Sequence, residues 1–258
     1  MKIWRILLEK EIESFLLRDL EVLSFYRLEC GVLAYEIKGL AENVFRLWQS
    51  VPQEEGLSIT EIPEPGFLLR LPKSRLSLFW QGEPSYSKII LAPQGAFGSG
   101  LHPTTLLVLY LLDKLYYQGI KPKRILDWGA GSGILSLVAA RLFPQSQVLA
   151  LDIDFDSTKK CRENVIRNRL EAQILSFCAP LAAVKGSFDL ILANIFLRVL
   201  TEDAPLVKDR LAKGGLLVAS GFLKESTSFL LNLYQGFSFL ELADKEGWQA
   251  IIWQKPDI

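Results

Sequence analysis

The chain has 258 residues, half of them hydrophobic and 22% charged, enough to bury a sizeable core and far from the composition of a disordered polymer. Its 29 basic and 29 acidic side chains cancel, which removes the basic excess on which nonspecific nucleic-acid binders rely. Cys30, Cys161 and Cys178 form no Cys-x-x-Cys pair, so a cytoplasmic, reducing setting is expected; with a single histidine, no zinc ligand set is expected either.

The apolar runs Ile3–Leu8 and Leu106–Leu112 are short and end in charges, which predicts neither a leader nor a membrane span. Residues 1–61 alternate β-like and helix-like stretches: Ile3–Leu8, Glu9–Leu20, Val22–Leu28, Val32–Ile37, Leu40–Trp48 and Leu57–Glu61. This βαββαβ order predicts a small ferredoxin-like α+β module. Residues 62–92 carry Pro63, Pro65, Pro72 and Pro84 between short apolar runs and read as a connecting segment.

Residues 93–258 read as a third region. A helix is predicted from Pro103 to Tyr117, ending at Gly119. There follow strand Arg124–Asp127, helix Ile134–Leu142, strand Val148–Asp152, helix Ser157–Asn168, strands Ile174–Phe177 and Phe188–Asn194, helix Leu197–Leu211 and strand Leu216–Ser220. Such alternation predicts a parallel α/β sheet covered on both faces. The tail, Phe237–Ala243 and Trp248–Gln254, predicts an antiparallel edge hairpin.

Three constellations carry chemistry. The first is Asp127-Trp128-Gly129-Ala130-Gly131-Ser132-Gly133, a strand running through a glycine turn into a helix. Such turns let backbone approach a ligand and aim N–H groups at it. Dinucleotide enzymes use Gly-x-Gly-x-x-Gly; the Gly-x-Gly-x-Gly spacing here, preceded by an acid, points to S-adenosylmethionine. Asp152, ending the next strand, would accept bonds from both ribose hydroxyls. The second is Gly95 to Thr105, which combines glycines, Phe97, His102 and hydroxyls and reads as a lid: Phe97 could cover the cofactor and Thr105 bond its methionine end. The third is the strand ending in Asn194, whose carbonyl could fix a neutral amine in line with a methyl donor; the competing role for Asn194 is to cap the helix that follows. For His102, loop orientation through hydrogen bonds competes with general-base catalysis.

Together these motifs resemble the PrmA-type methyltransferases, which modify ribosomal protein L11 in bacteria. The family's Ala-Phe-Gly-Thr-Gly-x-His-x-Thr-Thr is similar to Ala96, Phe97, Gly98, Ser99, Gly100, His102, Thr104 and Thr105, and Asp127 to Gly133, Asp152-Ile153-Asp154, Ala193-Asn194-Ile195 and Ser220-Gly221-Phe222-Leu223 follow in order. The resemblance implies a class I methyltransferase Rossmann-like sheet and S-adenosyl-L-methionine as methyl donor. The acceptors would be lysine ε-amines and the N-terminal α-amine of L11, and the N-terminal module would recognise that substrate. Phe97, Thr105, Asp127, Gly129, Gly131, Asp152 and Asn194 are the expected cofactor residues, with Asn194 also catalytic. No metal, membrane or nucleic-acid partner is expected, and a monomer is favoured. The alternatives are another protein or RNA acceptor, or a cofactor-binding protein that has lost catalysis.

Overall fold

The computed structural model describes strands β1 (Lys2–Leu8), β2 (Glu21–Arg27), β3 (Leu33–Gly39), β4 (Ser58–Ile62), β5 (Leu69–Arg70) and β6 (Ser77–Phe79), then residues 88–91 and 102–257. The chain divides into two units, Met1–Leu68 and Leu69–Ile258. In the first, β1 to β4 form an antiparallel sheet in the order β2-β3-β1-β4, the order in which a split βαβ arrangement places its strands. The stretches expected to be helices there, Glu9–Leu20 and Leu40–Trp48, lie outside the described residues.

The second unit opens with a three-stranded sheet of β5, β6 and β7 (Lys88–Ile90). Its main body alternates α1 (Pro103–Tyr117), β8 (Arg124–Trp128), α2 (Ile134–Leu142), β9 (Gln147–Asp152), α3 (Phe155–Arg167), β10 (Ile174–Cys178) and β11 (Phe188–Asn194). Then come α4 (Leu197–Glu202), α5 (Ala204–Arg210), β12 (Leu211–Leu223), α6 (Thr227–Leu233), β13 (Ser238–Lys245) and β14 (Trp248–Gln254). The seven strands lie in the order β10-β9-β8-β11-β12-β14-β13, with β8 to β12 parallel and β14 antiparallel to both its neighbours.

The apolar runs become strands because both faces of the sheet are covered. Ile125, Val148, Leu190, Leu192 and Val218 pack toward α1, α2 and α3, whereas Leu126, Leu151, Ile191, Ala193 and Leu217 pack toward residues of α4, α5 and α6. Each fully buried aliphatic side chain contributes about 1.5–3 kcal/mol of transfer free energy, so these two layers hold the sheet rigid beneath its loops.

Three elements differ from the sequence expectation. The helix expected over Leu197–Leu211 is two, α4 and α5, parted at Asp203 because Pro205 enters at the start of α5 and has no N–H to continue the ladder. The strand expected over Leu216–Ser220 runs from Leu211 to Leu223 with irregular register at both ends. The helix α6, which buries only Leu230, has no counterpart in the expected elements.

Candidate active site

In this order the chain turns back between β8 and β11: β9 and β10 extend the sheet to one side of β8, β11 and β12 to the other. Open α/β sheets bind ligands at such a switch point, outside the carboxyl ends of the strands. The glycine turn after β8, Asp152 ending β9 and Asn194 ending β11 all stand on that edge.

The turn is held by bonds to β9. Gly129 and Ala130 both donate to the Leu151 carbonyl, at 2.8 and 2.9 Å, and the Gly131 N–H donates to Asp152 Oδ2 at 2.8 Å. All three glycines have positive φ, +75°, +54° and +80° for Gly129, Gly131 and Gly133. Their reasons differ. A Cβ at Gly129 would overlap the Ile195 Cγ2 methyl, and one at Gly133 would come within 2.6 Å of Cys161 Sγ, so the protein's own packing demands glycine at both. Only at Gly131 would a Cβ meet open space, which leaves this backbone approachable from outside.

Asp127, expected among the cofactor contacts, has no exposed surface. Its Oδ2 instead accepts from the Ser136 N–H at 2.9 Å and the Ser136 hydroxyl at 2.6 Å, tying the end of β8 to the first turn of α2. Burial pushes its carboxyl up to about 6, against the lowering effect of the Ser136 bonds. Its Oδ1 and the hydroxyl of Ser132, itself 4% exposed, are buried with no hydrogen-bond partner.

Asp152 is half-buried. One oxygen accepts from Gly131 and the other from the Asp154 N–H at 2.9 Å, and each keeps a second lone pair for a ligand donor. Asp154 caps α3, accepting from the Ser157 N–H at 2.7 Å, which holds its carboxyl below the usual range. Beside Asp152 the rim is apolar where a polar loop would be ordinary: Ile153 is 77% exposed, and Phe155 and Phe177 are also exposed. The sequence reading gave Ile153 and Phe177 no role; the available signal was an aliphatic residue directly after a strand-end acid.

Asn194 is half-buried, and its Nδ2 donates to Thr105 Oγ1 at 3.1 Å. Thr105 is 8% exposed in the first turn of α1, so this bond joins α1 to the end of β11 and brings together two expected site residues. The capping alternative does not hold, because the N-cap of α4 is Phe196 and no side chain caps the helix. With its amide nitrogen committed, Asn194 has Oδ1 left to accept a bond. His102 caps α1. Phe97 lies outside the described residues.

The strand order, the Gly-x-Gly-x-Gly turn at the switch point and the strand-end carboxylate define a class I methyltransferase fold. Within that class, the chain matches the ribosomal protein L11 methyltransferase (PrmA) family over residues 77–256 and belongs to it. It is 36% identical over 172 residues to the ribosomal protein L11 methyltransferase of Geotalea uraniireducens, covering 62% of this chain and 54% of that one. With the corresponding protein of Shewanella sediminis the identity is 37% over 170 residues, 66% of this chain and 57% of that one. The chain thus spans about half the length of the curated relatives it matches. Among solved structures, the ribosomal protein L11 methylase of Lactobacillus delbrueckii subsp. bulgaricus superposes with a TM-score of 0.64 at 27% identity, covering 73% of this chain and 98% of that one.

Proposed function

We propose that the chain is a cytoplasmic protein N-methyltransferase that uses S-adenosyl-L-methionine to methylate lysine ε-amines and the N-terminal α-amine of ribosomal protein L11. The observation that carries this reading is the convergence on one strand-end edge of an approachable Gly131, a carboxylate with spare acceptor capacity at Asp152, and Asn194 held by Thr105. The exposed Ile153 offers an apolar surface against which the flat face of a nucleoside base would pack.

When bound, S-adenosylmethionine supplies a sulfonium-borne methyl group that a neutral amine displaces in line. The chain's part is to bind and orient. Asp152 would accept from the ribose hydroxyls, the backbone at Gly129 and Gly131 would line the nucleoside, and Thr105 would meet the methionine end. Phe97 would cover it. Asn194 Oδ1 would accept an N–H of the incoming amine and turn its lone pair toward the methyl carbon, so positioning supplies most of the rate. A lysine amine must lose its proton first, and desolvation in the crevice lowers its pKa in the needed direction.

The test is mass spectrometry of L11 after incubation with this chain and the cofactor. Mass increments of whole methyl groups on lysines and the N-terminal amine are expected. Cofactor binding without any mass change in L11 would reject the acceptor assignment, and no cofactor binding would reject the whole reading.

A further inference from the structure

The methyl-transfer reading leaves the chain's single histidine and the first residue of β14 unassigned. We infer that His102 and Trp248 form a positioning pair that fixes the start of α1, and through Thr105 sets the direction of Asn194; the inference rests on the proposed reaction.

His102 is the N-cap of α1, extended at φ −63° and ψ 137°, with Pro103 starting the helix and no acidic side chain in its first turn. Its Nδ1 lies 2.8 Å from Thr104 Oγ1 and 3.4 Å from the Thr104 N–H, and its carbonyl accepts from the N–H groups of Thr105 and Leu106 at 2.9 and 3.1 Å. The imidazole therefore does what a capping Asn or Ser does elsewhere. In the tautomer that caps, Nδ1 is the acceptor and Nε2–H a donor, so the ring's one lone pair is engaged by Thr104.

The ring is braced from the antiparallel hairpin of the sheet. Trp248 meets it edge-on, with centroids 5.0 Å apart and planes at 71°. Trp248 packs on the main core and opens β14 directly after a tight turn in which Glu246 and Gly247 both have positive φ, 55° and 80°. Its ladder partner is Leu223, the last residue of β12, so the hairpin tip lies at the ligand end of the sheet; the Gly247 carbonyl, accepting from Lys224, pins it. A continuous path of contacts runs from this tip through His102, Thr104 and Thr105 to Asn194.

The experiment compares H102A, H102N, W248A and W248F with the parent chain in methyl transfer to L11, cofactor titration and amide hydrogen exchange. H102A and W248A should lose about ten-fold or more in kcat with cofactor Kd little changed. H102N, which caps but cannot act as a base, and W248F, which keeps an aromatic edge, should recover most of it with the parent's pH–rate profile. Exchange at the Thr104 amide, which the His102 side chain accepts from, should rise in H102A and W248A and return in H102N. An H102N as inactive as H102A would overturn the pairing and assign His102 to proton transfer. If the parent transfers no methyl group while the exchange pattern holds, the reaction is wrong and the pairing stands.

Discussion

Asp127 is a carboxylate that the fold holds at a cost, and the cost can be read from its pH dependence. Its carboxyl is pushed from 3.8 to about 6 because complete burial disfavours the charge more than the two Ser136 bonds favour it. The folded protein therefore keeps this proton in a range where the unfolded chain has already released it. Below the unfolded value both states are protonated and nothing is lost. As pH rises through the window the penalty grows, and above the folded value it is complete, about 3 kcal/mol for a shift of roughly two units. D127N keeps an acceptor for both Ser136 donors and removes the ionisation; its amide nitrogen, set where Oδ1 lacks a partner, adds an offset independent of pH. In urea unfolding, the stability of D127N relative to the parent should rise by about 2–3 kcal/mol between pH 4 and pH 7. Curves that stay parallel over that interval would refute the account of what holds this carboxyl.

Gly129→Ala forces a Cβ into Ile195 at a positive φ and should cost about 2–4 kcal/mol in thermal or urea unfolding, with kcat falling because Asn194 precedes the displaced residue. Gly131→Ala meets open space and should cost only about 1–2 kcal/mol of backbone strain while raising the cofactor Kd; equal effects of the two on Kd would undo the division of roles. Asn168, fully buried at the end of α3, accepts from the Ile90 N–H at 2.8 Å and donates to the Ile90 carbonyl at 2.6 Å. Asn168→Ala strips both groups and should cost about 2–4 kcal/mol, with a loss under 1 kcal/mol telling against it. Asn194→Ala should cut turnover far more than cofactor affinity; unchanged turnover in a labelled-methyl assay would remove its role.

The parallel sheet was legible because buried strands write themselves as unbroken apolar runs. Leu190 to Ala193 is buried on alternate sides by two different layers, and such a run between loop signals has few other readings. What stayed hidden depended on partners distant in sequence. Lys213-Gly214-Gly215 looks like a turn, yet Gly214 and Gly215 exchange backbone bonds with Lys255, at 3.0 and 2.9 Å, so β12 continues through them. The helix α6 buries one residue and leaves Phe229 and Leu231 exposed, so it has no apolar stripe to give it away. The break before α5 was announced by Pro205, a signal present and unused. Among the site residues, Asp152 and Asn194 were legible as strand ends, whereas Trp248 reaches His102 only because a hairpin tip returns to the ligand edge.

The glycines make the same distinction inside the site. Sequence spacing shows that glycine is required, but not what presses on it. Gly129 makes room for the Ile195 side chain, and Gly221, φ +97°, for the Ile195 backbone carbonyl, while the Ile195 N–H donates to Ser220 at 3.3 Å. One residue is thus gripped by the turn after β8 on its side-chain face and by the end of β12 on its backbone face. The residue before it is Asn194, whose amide is tied to Thr105. The proposed role of Asn194, aiming an amine within a few tenths of an ångström, would need such a support, because any slack in β11 would pass directly to its carbonyl. The turn that leaves Gly131 open is therefore also, through Gly129, part of what holds Asn194 in place, so under the proposed function ligand contact and acceptor geometry would be set by neighbouring residues of one loop.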